Sequence, residues 1–412
     1  MRSISFKKRL NFFLISIIPF SIIIGPSISL LNIVLINLLC IFYLYKEKML
    51  CILNNSYVKF LLILYLYLIL NTFISLDHKI SLGRNLGFLR FIGLFIFINY
   101  FFFKNKHLKK VIFFWFLIIS LTIFDVFVEY FLGSNIFGWG DEPPNIPRVV
   151  SFFKDEHIVG AFLIGFFFIL LGYLLDNFKN RRFLILIFSL IFLIAVFVTG
   201  ERSNFIRLFL GLLIIFFFLD YLKIQTKIIL TFLVSCILLL IINQSEYLKV
   251  RYFGQLISNF SSREKIDIYI ENSVYFNLYK SGINVFKKYP YFGVGNKNYR
   301  VETCENTKSN SNYWCSTHPH QLYIEFLSEH GLFGTIILLG IIFMLMFKIL
   351  ISIFSTKNYT QIGSFIYLVI VFIPVLPSGS FFSDFNSTIF WLNLSITFAC
   401  SKKTNIFEKN KI

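Results

Sequence analysis

GLFGTIILLGIIFMLMFKILISI, residues 331–353, carries a single charged side chain, Lys348. At 1.5 Å per residue such a run crosses a hydrocarbon core of about 30 Å, and in lipid its backbone polar groups are satisfied within a helix. Reading outward, further apolar runs fall near 10–24, 27–45, 58–76, 86–103, 108–132, 157–175, 183–198, 204–219, 228–242, 362–376 and 385–400. The expected fold is an all-α integral membrane protein with about twelve transmembrane helices. Composition points the same way: 57% of the 412 residues are hydrophobic and 15% charged, where a soluble domain is about a quarter charged. The 56 Phe residues suit lipid as well as Leu would and carry no functional reading.

A formal charge of +18 would suit nucleic acid, but the basic residues sit between spans, so no nucleic-acid partner is expected. With the N-terminus in the cytoplasm, alternate connections hold Lys46, Lys48 and Lys59; Lys104, Lys106, Lys109 and Lys110; Lys179, Arg181 and Arg182; Lys223 and Lys227; Lys348 and Lys357; and the tail lysines 402, 403, 409 and 411. The opposite short connections are poor in Lys, so both termini are expected inside. Lys7, Lys8 and Arg9 before the first run imitate a secretion signal, but Gly25-Pro26 leads into another apolar run without a small-residue cleavage site, and the run is read as a retained span. The expected organisation is N-terminal spans over 1–132, central spans with an outer loop (133–155) over 133–242, a large outer loop over 243–330, and C-terminal spans with a cytoplasmic tail over 331–412.

The polar chemistry gathers on the other face. A connection near 133–154 carries Trp139, Asp141, Glu142, three prolines and Arg148. TGERS, 199–203, breaks two spans. The large loop is too long for a simple connector, and loops of this size usually have a function. Within it, Val274, Leu278 and Val285 recur at helical spacing among basic residues, which reads as a helix lying on the membrane surface. Just before the 331–353 run stands STHPHQLY, 316–323, in which Pro319 favours a helix start, so His318 reads as the cap and His320 as part of the first turn. There the helix dipole would hold His320 neutral and favour a bound anion. Arg84, Arg90, Arg148, Arg202 and Arg207 fall near the outer ends of spans, with Arg251, Arg263 and Arg300 in the large loop. Guanidinium groups pair with phosphate oxygens, so this set suits a pyrophosphate-bearing lipid. There is no P-loop, and no acidic pair or His cluster has metal-site spacing, so neither ATP nor a metal is expected. Cys304 and Cys315 would face an oxidising compartment and are expected to form a disulfide; Cys40, Cys51, Cys236 and Cys400 lie in or beside spans as small apolar residues.

GINVFKKYPYFGVG (282–295), then Lys297 and Arg300, HPHQLYIE (318–325) and SEHGLFG (328–334) resemble the C-terminal signature of the O-antigen ligase and O-antigen polymerase family. TGERS is similar to that family's arginine break, and PSGSFF (377–382) to a late outer loop of some members. Gln321 stands where the family's histidine usually has Asn beside it, which keeps an amide. The resemblance covers the C-terminal half. It implies an inverting glycosyltransferase on the periplasmic face of the bacterial inner membrane, active in lipopolysaccharide biosynthesis without metal or other cofactor. Its partners would be a glycan donor linked to undecaprenyl pyrophosphate, an acceptor hydroxyl on lipid A core or another glycan, and membrane lipids. His320 is then the catalytic residue near the acceptor and Arg202 the binder of the donor pyrophosphate. Arg300, His318 and Glu329 follow as secondary residues, while Arg148 and Arg263 join the pyrophosphate set on charge alone. A polymerase, which passes the glycan to another repeat unit, shares the signature. A transporter of lipid-linked sugars should show internal repeats, and none is evident between the halves.

Overall fold

The computed structural model describes residues 2–104, 108–139, 148–154, 156–178, 180–219, 223–254, 273–306 and 313–408. Among these there is no strand. The main helices are α1 (Arg2–Ser16), α2 (Ile18–Ile24), α3 (Pro26–Lys46), α4 (Ser56–Ile74), α5 (His78–Gly87), α6 (Leu89–Lys104), α7 (Leu108–Leu132), α8 (Val159–Asn177), α9 (Arg182–Val198), α10 (Arg202–Phe217), α11 (Ile224–Gln244), α12 (Val274–Lys288), α13 (Tyr299–Asn306), α14 (Leu322–Thr356), α15 (Tyr359–Val371) and α16 (Asp384–Ala399).

Every apolar run expected as a span falls on helix. Seven segments among the described residues are long and apolar enough to cross a membrane: α3, α4, α5 with α6, α7, α8, α11 and α14. Helices α9 and α15 are shorter and also apolar. The first run is two helices rather than one, parted at Ile17 ahead of Pro19, whose ring and missing N–H disfavour an unbroken helix. Side chains start several others: the oxygens of Asn55, Asp77, Asn358 and Ser383 accept from backbone amides of the first turns of α4, α5, α15 and α16.

Helix α8 is the most enclosed of the seven segments and α11 the least. A methyl added to Gly363 of α15 would lie 1.9 Å from the Phe168 carbonyl oxygen of α8, so the two backbones touch. Polar groups mark both ends of α8. At its start the Gly160 amide donates to Glu201 (2.6 Å), and near its end Asp176 accepts from the amides of Tyr359 and Thr360 (2.9 and 2.8 Å). Sixteen residues at 1.5 Å separate these layers by roughly 24 Å, close to the thickness of a hydrocarbon core. The lysine-bearing connections share the Asp176 end. There Glu47 pairs with Lys104, Lys403 reaches Ser355, and the buried tail residue Asn405 bonds the Asn99 carbonyl.

The apolar run 331–353 begins at a break. Gly331 has φ 64 and ψ −170 inside α14, a conformation open essentially to glycine alone. Helical pairing across the break is replaced by pairing with the 290–295 loop. Leu332 and Phe333 donate to the carbonyls of Pro290 and Tyr291 (2.8 and 3.1 Å), while the carbonyls of Ser328 and Glu329 accept from Val294 and Gly295 (3.0 and 2.8 Å). A Cβ at Gly331 would lie 2.4 Å from the Tyr291 backbone, whereas one at Gly340, further along α14, meets nothing within 4 Å. Gly331→Ala should therefore destabilise by about 2–3 kcal/mol and Gly340→Ala stabilise by about 0.5–1 kcal/mol. Apparent melting temperatures in detergent measure both, and equal shifts would refute the role given to the break.

Candidate active site

The loop docked on the α14 break continues into a plug. The Asn296 backbone amide donates to Asn71 Oδ1 (2.8 Å) and its side-chain Nδ2 donates to Asn85 Oδ1 (2.6 Å). Asn298 donates to Ser81 Oγ (2.8 Å) and accepts from the Asp77 amide (2.6 Å). These fully buried asparagines fill the corner between α4 and α5. Between them Lys297, at φ 65, turns the other way: its amide donates to Glu329 Oε2 (2.8 Å) and its ammonium to Ser380 Oγ (2.8 Å). Glu329 thus anchors the glycine loop from a fully buried position.

The histidine pair departs from the expected geometry. Gln321, not His318, caps α14, its Oε1 accepting from the Ile324 amide at 2.8 Å. His320 lies before the cap rather than in the first turn, in the left-handed region at φ 54. Pro319 is packed instead against Gly282 of α12, where a Cβ would meet Ile324 and Pro319 at 2.4 and 3.0 Å, and this contact steers the chain into the turn. Helix α12 accordingly turns Leu278, Ser281, Gly282 and Val285 to the protein, where it packs against α14, and leaves Val274, Phe276 and Ile283 exposed. The rings of His318 and His320 stack with centroids 3.9 Å apart, and Tyr275 meets His320 edge-on at 5.9 Å. Thr317 Oγ1 lies 2.9 Å from His318 Nδ1, and the Ser378 amide donates to the His320 carbonyl (2.9 Å). Burial, then Lys297, push His318 down to about 4. Burial and its neighbour His318 push His320 down to about 4 as well, against an opposing pull from Glu325. The neutrality expected from a helix dipole therefore arises from desolvation and from the second imidazole.

The arginines separate into groups. Arg84 and Arg90 both engage Asp384 at the start of α16 (3.0 Å for Arg84), which removes two from the set read as phosphate-binding. Arg207 Nη2 donates to the Pro377 carbonyl (2.9 Å), next to the residue whose amide holds His320. Spacing along the chain does not distinguish Arg207 from the other arginines near span ends; its burial in α10 is what sets it apart. Arg202, half-buried, is the first residue of α10, just after Glu201. Burial pushes the Glu201 carboxyl up to about 7, opposed by the Gly160 amide, Asn204 and the nearby Arg148 guanidinium. Arg148 and Arg202 thus share the Glu201 neighbourhood at the end of the bundle that holds His320. Arg300 is exposed on α13, and Arg263 lies outside the described residues.

Beside the histidines the segment around α13 is braced. The Tyr299 hydroxyl donates to Ser281 Oγ (2.9 Å), which also accepts from the Trp314 amide (3.0 Å). Glu302 accepts from Lys288 and Tyr313 (2.7 and 2.9 Å). Cys304 and Cys315 are joined in a disulfide with Cα atoms 4.4 Å apart. Closing this short loop restricts the unfolded chain, so Cys304→Ala/Cys315→Ala together should lower stability by about 2–3 kcal/mol. Coincident melting of this variant and the wild type in detergent would contradict that.

No curated protein matches the chain. Residues 187–339, which run from α9 through the arginine break, the glycine loop, the histidine pair and the start of the broken helix, match the family model described as O-antigen ligase. Over that segment the chain is similar to the O-antigen ligase family.

Proposed function

We propose that the chain is a metal-independent, inverting glycosyltransferase of the ligase type, moving a glycan from undecaprenyl pyrophosphate to a sugar hydroxyl of lipid A core at the periplasmic face. The observation that carries this reading is a half-buried His320, held in a left-handed turn against His318, within the segment similar to the O-antigen ligase family and at the bundle end that also holds Arg148 and Arg202. In the reaction His320 takes the proton of the acceptor hydroxyl as its oxygen attacks the anomeric carbon from the face opposite the leaving group. The bond from that carbon to the pyrophosphate oxygen breaks, its electron pair leaving with undecaprenyl pyrophosphate. Arg202, with Arg148 and Arg300, binds that pyrophosphate and stabilises the charge that develops on it. His318 shields and orients His320. About twelve helices cross the membrane in this reading. The gathering of lysines at the Asp176 end supports a cytoplasmic position for that end, which leaves the histidines in the periplasm.

Reconstitution with lipid-linked glycan and candidate acceptors tests the proposal: product on lipid A core supports a ligase, whereas elongation of the lipid-linked glycan itself would assign a polymerase. His320→Ala should lower the rate by about 10²–10⁴-fold, and transfer at the wild-type rate would refute the assignment. The acid limb of the pH–rate profile should lie near 4 rather than near the ordinary imidazole value of about 6.5, since a histidine lowered by burial remains an available base until the pH falls to its own value. Transfer should also persist in EDTA. An impermeant maleimide should reach exposed Cys51 only from the cytoplasm and, after reduction, Cys304 and Cys315 only from outside; the reverse pattern overturns the orientation.

A further inference from the structure

Acidic residues are scarce in this chain, 21 of 412, so one held with no exposure calls for a reason. Glu325 lies in the first turn of α14 yet does not cap it, since Gln321 has that task. Both of its oxygens are committed to a different segment: Oε1 accepts from Ser380 Oγ (2.6 Å) and Oε2 from the Phe381 amide (3.0 Å). The Lys297 ammonium completes a chain of three, donating to the same Ser380 Oγ. A well-packed apolar side chain would avoid the desolvation that this arrangement carries, so the carboxylate is retained for what it holds in place.

What it holds is the 377–381 loop. The carbonyls of that loop are taken by its surroundings: Arg207 bonds Pro377, Asn386 Nδ2 bonds Ser380 (2.9 Å) and Ser387 Oγ bonds Phe381 (2.8 Å). On its other side the Ser378 amide bonds the His320 carbonyl. A left-handed backbone at a residue with a Cβ is unfavourable and persists only where neighbours over-determine it. Here the neighbour is a loop that Glu325 clamps from below.

We infer that Glu325, linked through Ser380 to Lys297, is a positioning residue: it fixes the 377–381 loop, and through the Ser378 amide that loop holds His320 in the left-handed turn from which it meets the acceptor hydroxyl. The inference rests on the role proposed for His320, and it predicts a defect in turnover rather than in binding. Glu325→Gln keeps the volume but can no longer accept from both donors. Displacing a catalytic group by about 1 Å costs on the order of 100-fold in rate.

The test is steady-state transfer by the reconstituted full chain. Glu325→Gln should lower kcat by about 100-fold with KM for donor and acceptor within about twofold. Ser380→Ala should fall in the same direction and Ser380→Thr, which keeps the hydroxyl, should restore most of the rate. Added to His320→Ala, Glu325→Gln should cost less than about threefold more, since two residues acting through one group are not additive. Wild-type kcat in folded Glu325→Gln, a rise in KM alone, or full additivity with His320→Ala would each overturn the inference. Should Glu325→Gln not fold, the two Ser380 variants decide by the same criteria. Full activity of His320→Ala would instead refute the proposed function, a result distinct from an undisturbed Glu325→Gln beside a dead His320→Ala.

Discussion

Four backbone hydrogen bonds exchanged across Gly331 hold the histidine-bearing end of the molecule together. A helix that loses two successive bonds beside a membrane exposes two amides and two carbonyls where water is scarce, and each left unpaired costs free energy. The 290–295 loop supplies partners for all four, which locks loop and helix into one unit. Everything carried by the loop is then placed by it: Lys297 towards Ser380 and Glu329, and Asn296 and Asn298 into the α4–α5 corner.

This unit explains why the described residues of the 273–330 segment can be ordered without a sheet and without a large apolar core of their own. Its small satellite cluster comprises Val285, Val294, Tyr299 and Tyr313. Polar side chains do the remaining work by bonding backbone, a mode that suits a surface where apolar packing is limited. Buried asparagines are effective here because each offers both a donor and an acceptor and carries no charge to desolvate. The charged members are fewer and are engaged, with the Lys297 ammonium on the Ser380 hydroxyl and Asp384 between two arginines.

Charge is therefore used in two distinct ways at the two ends. At the Asp176 end, lysines are numerous and largely exposed. At the other end the cations are individually engaged, and only some of them stand near the histidines. Arg84 and Arg90 neutralise a helix start, Arg207 holds a loop, and Arg148 and Arg202 gather around Glu201. An arginine near a span boundary thus has no single meaning, and its partner decides its role.

The sequence by itself determined the helices, the apolar runs and the segregation of lysine, because helix formation in lipid follows from local hydrophobicity and each connection carries its own charge. It also marked the glycine loop and the histidine pair through short motifs. It misplaced the start of α14 by three residues: Pro319 is a sound local signal for a helix start, but its packing against Gly282 of α12 overrode that signal and left the cap to Gln321. Only the tertiary structure decided which arginines are already paired, that His320 stands in a left-handed turn, and that Glu325 serves a loop some fifty residues away. Those facts depend on contacts between distant segments, and a side chain's charge or spacing along the chain holds no record of which partner the fold will bring to it.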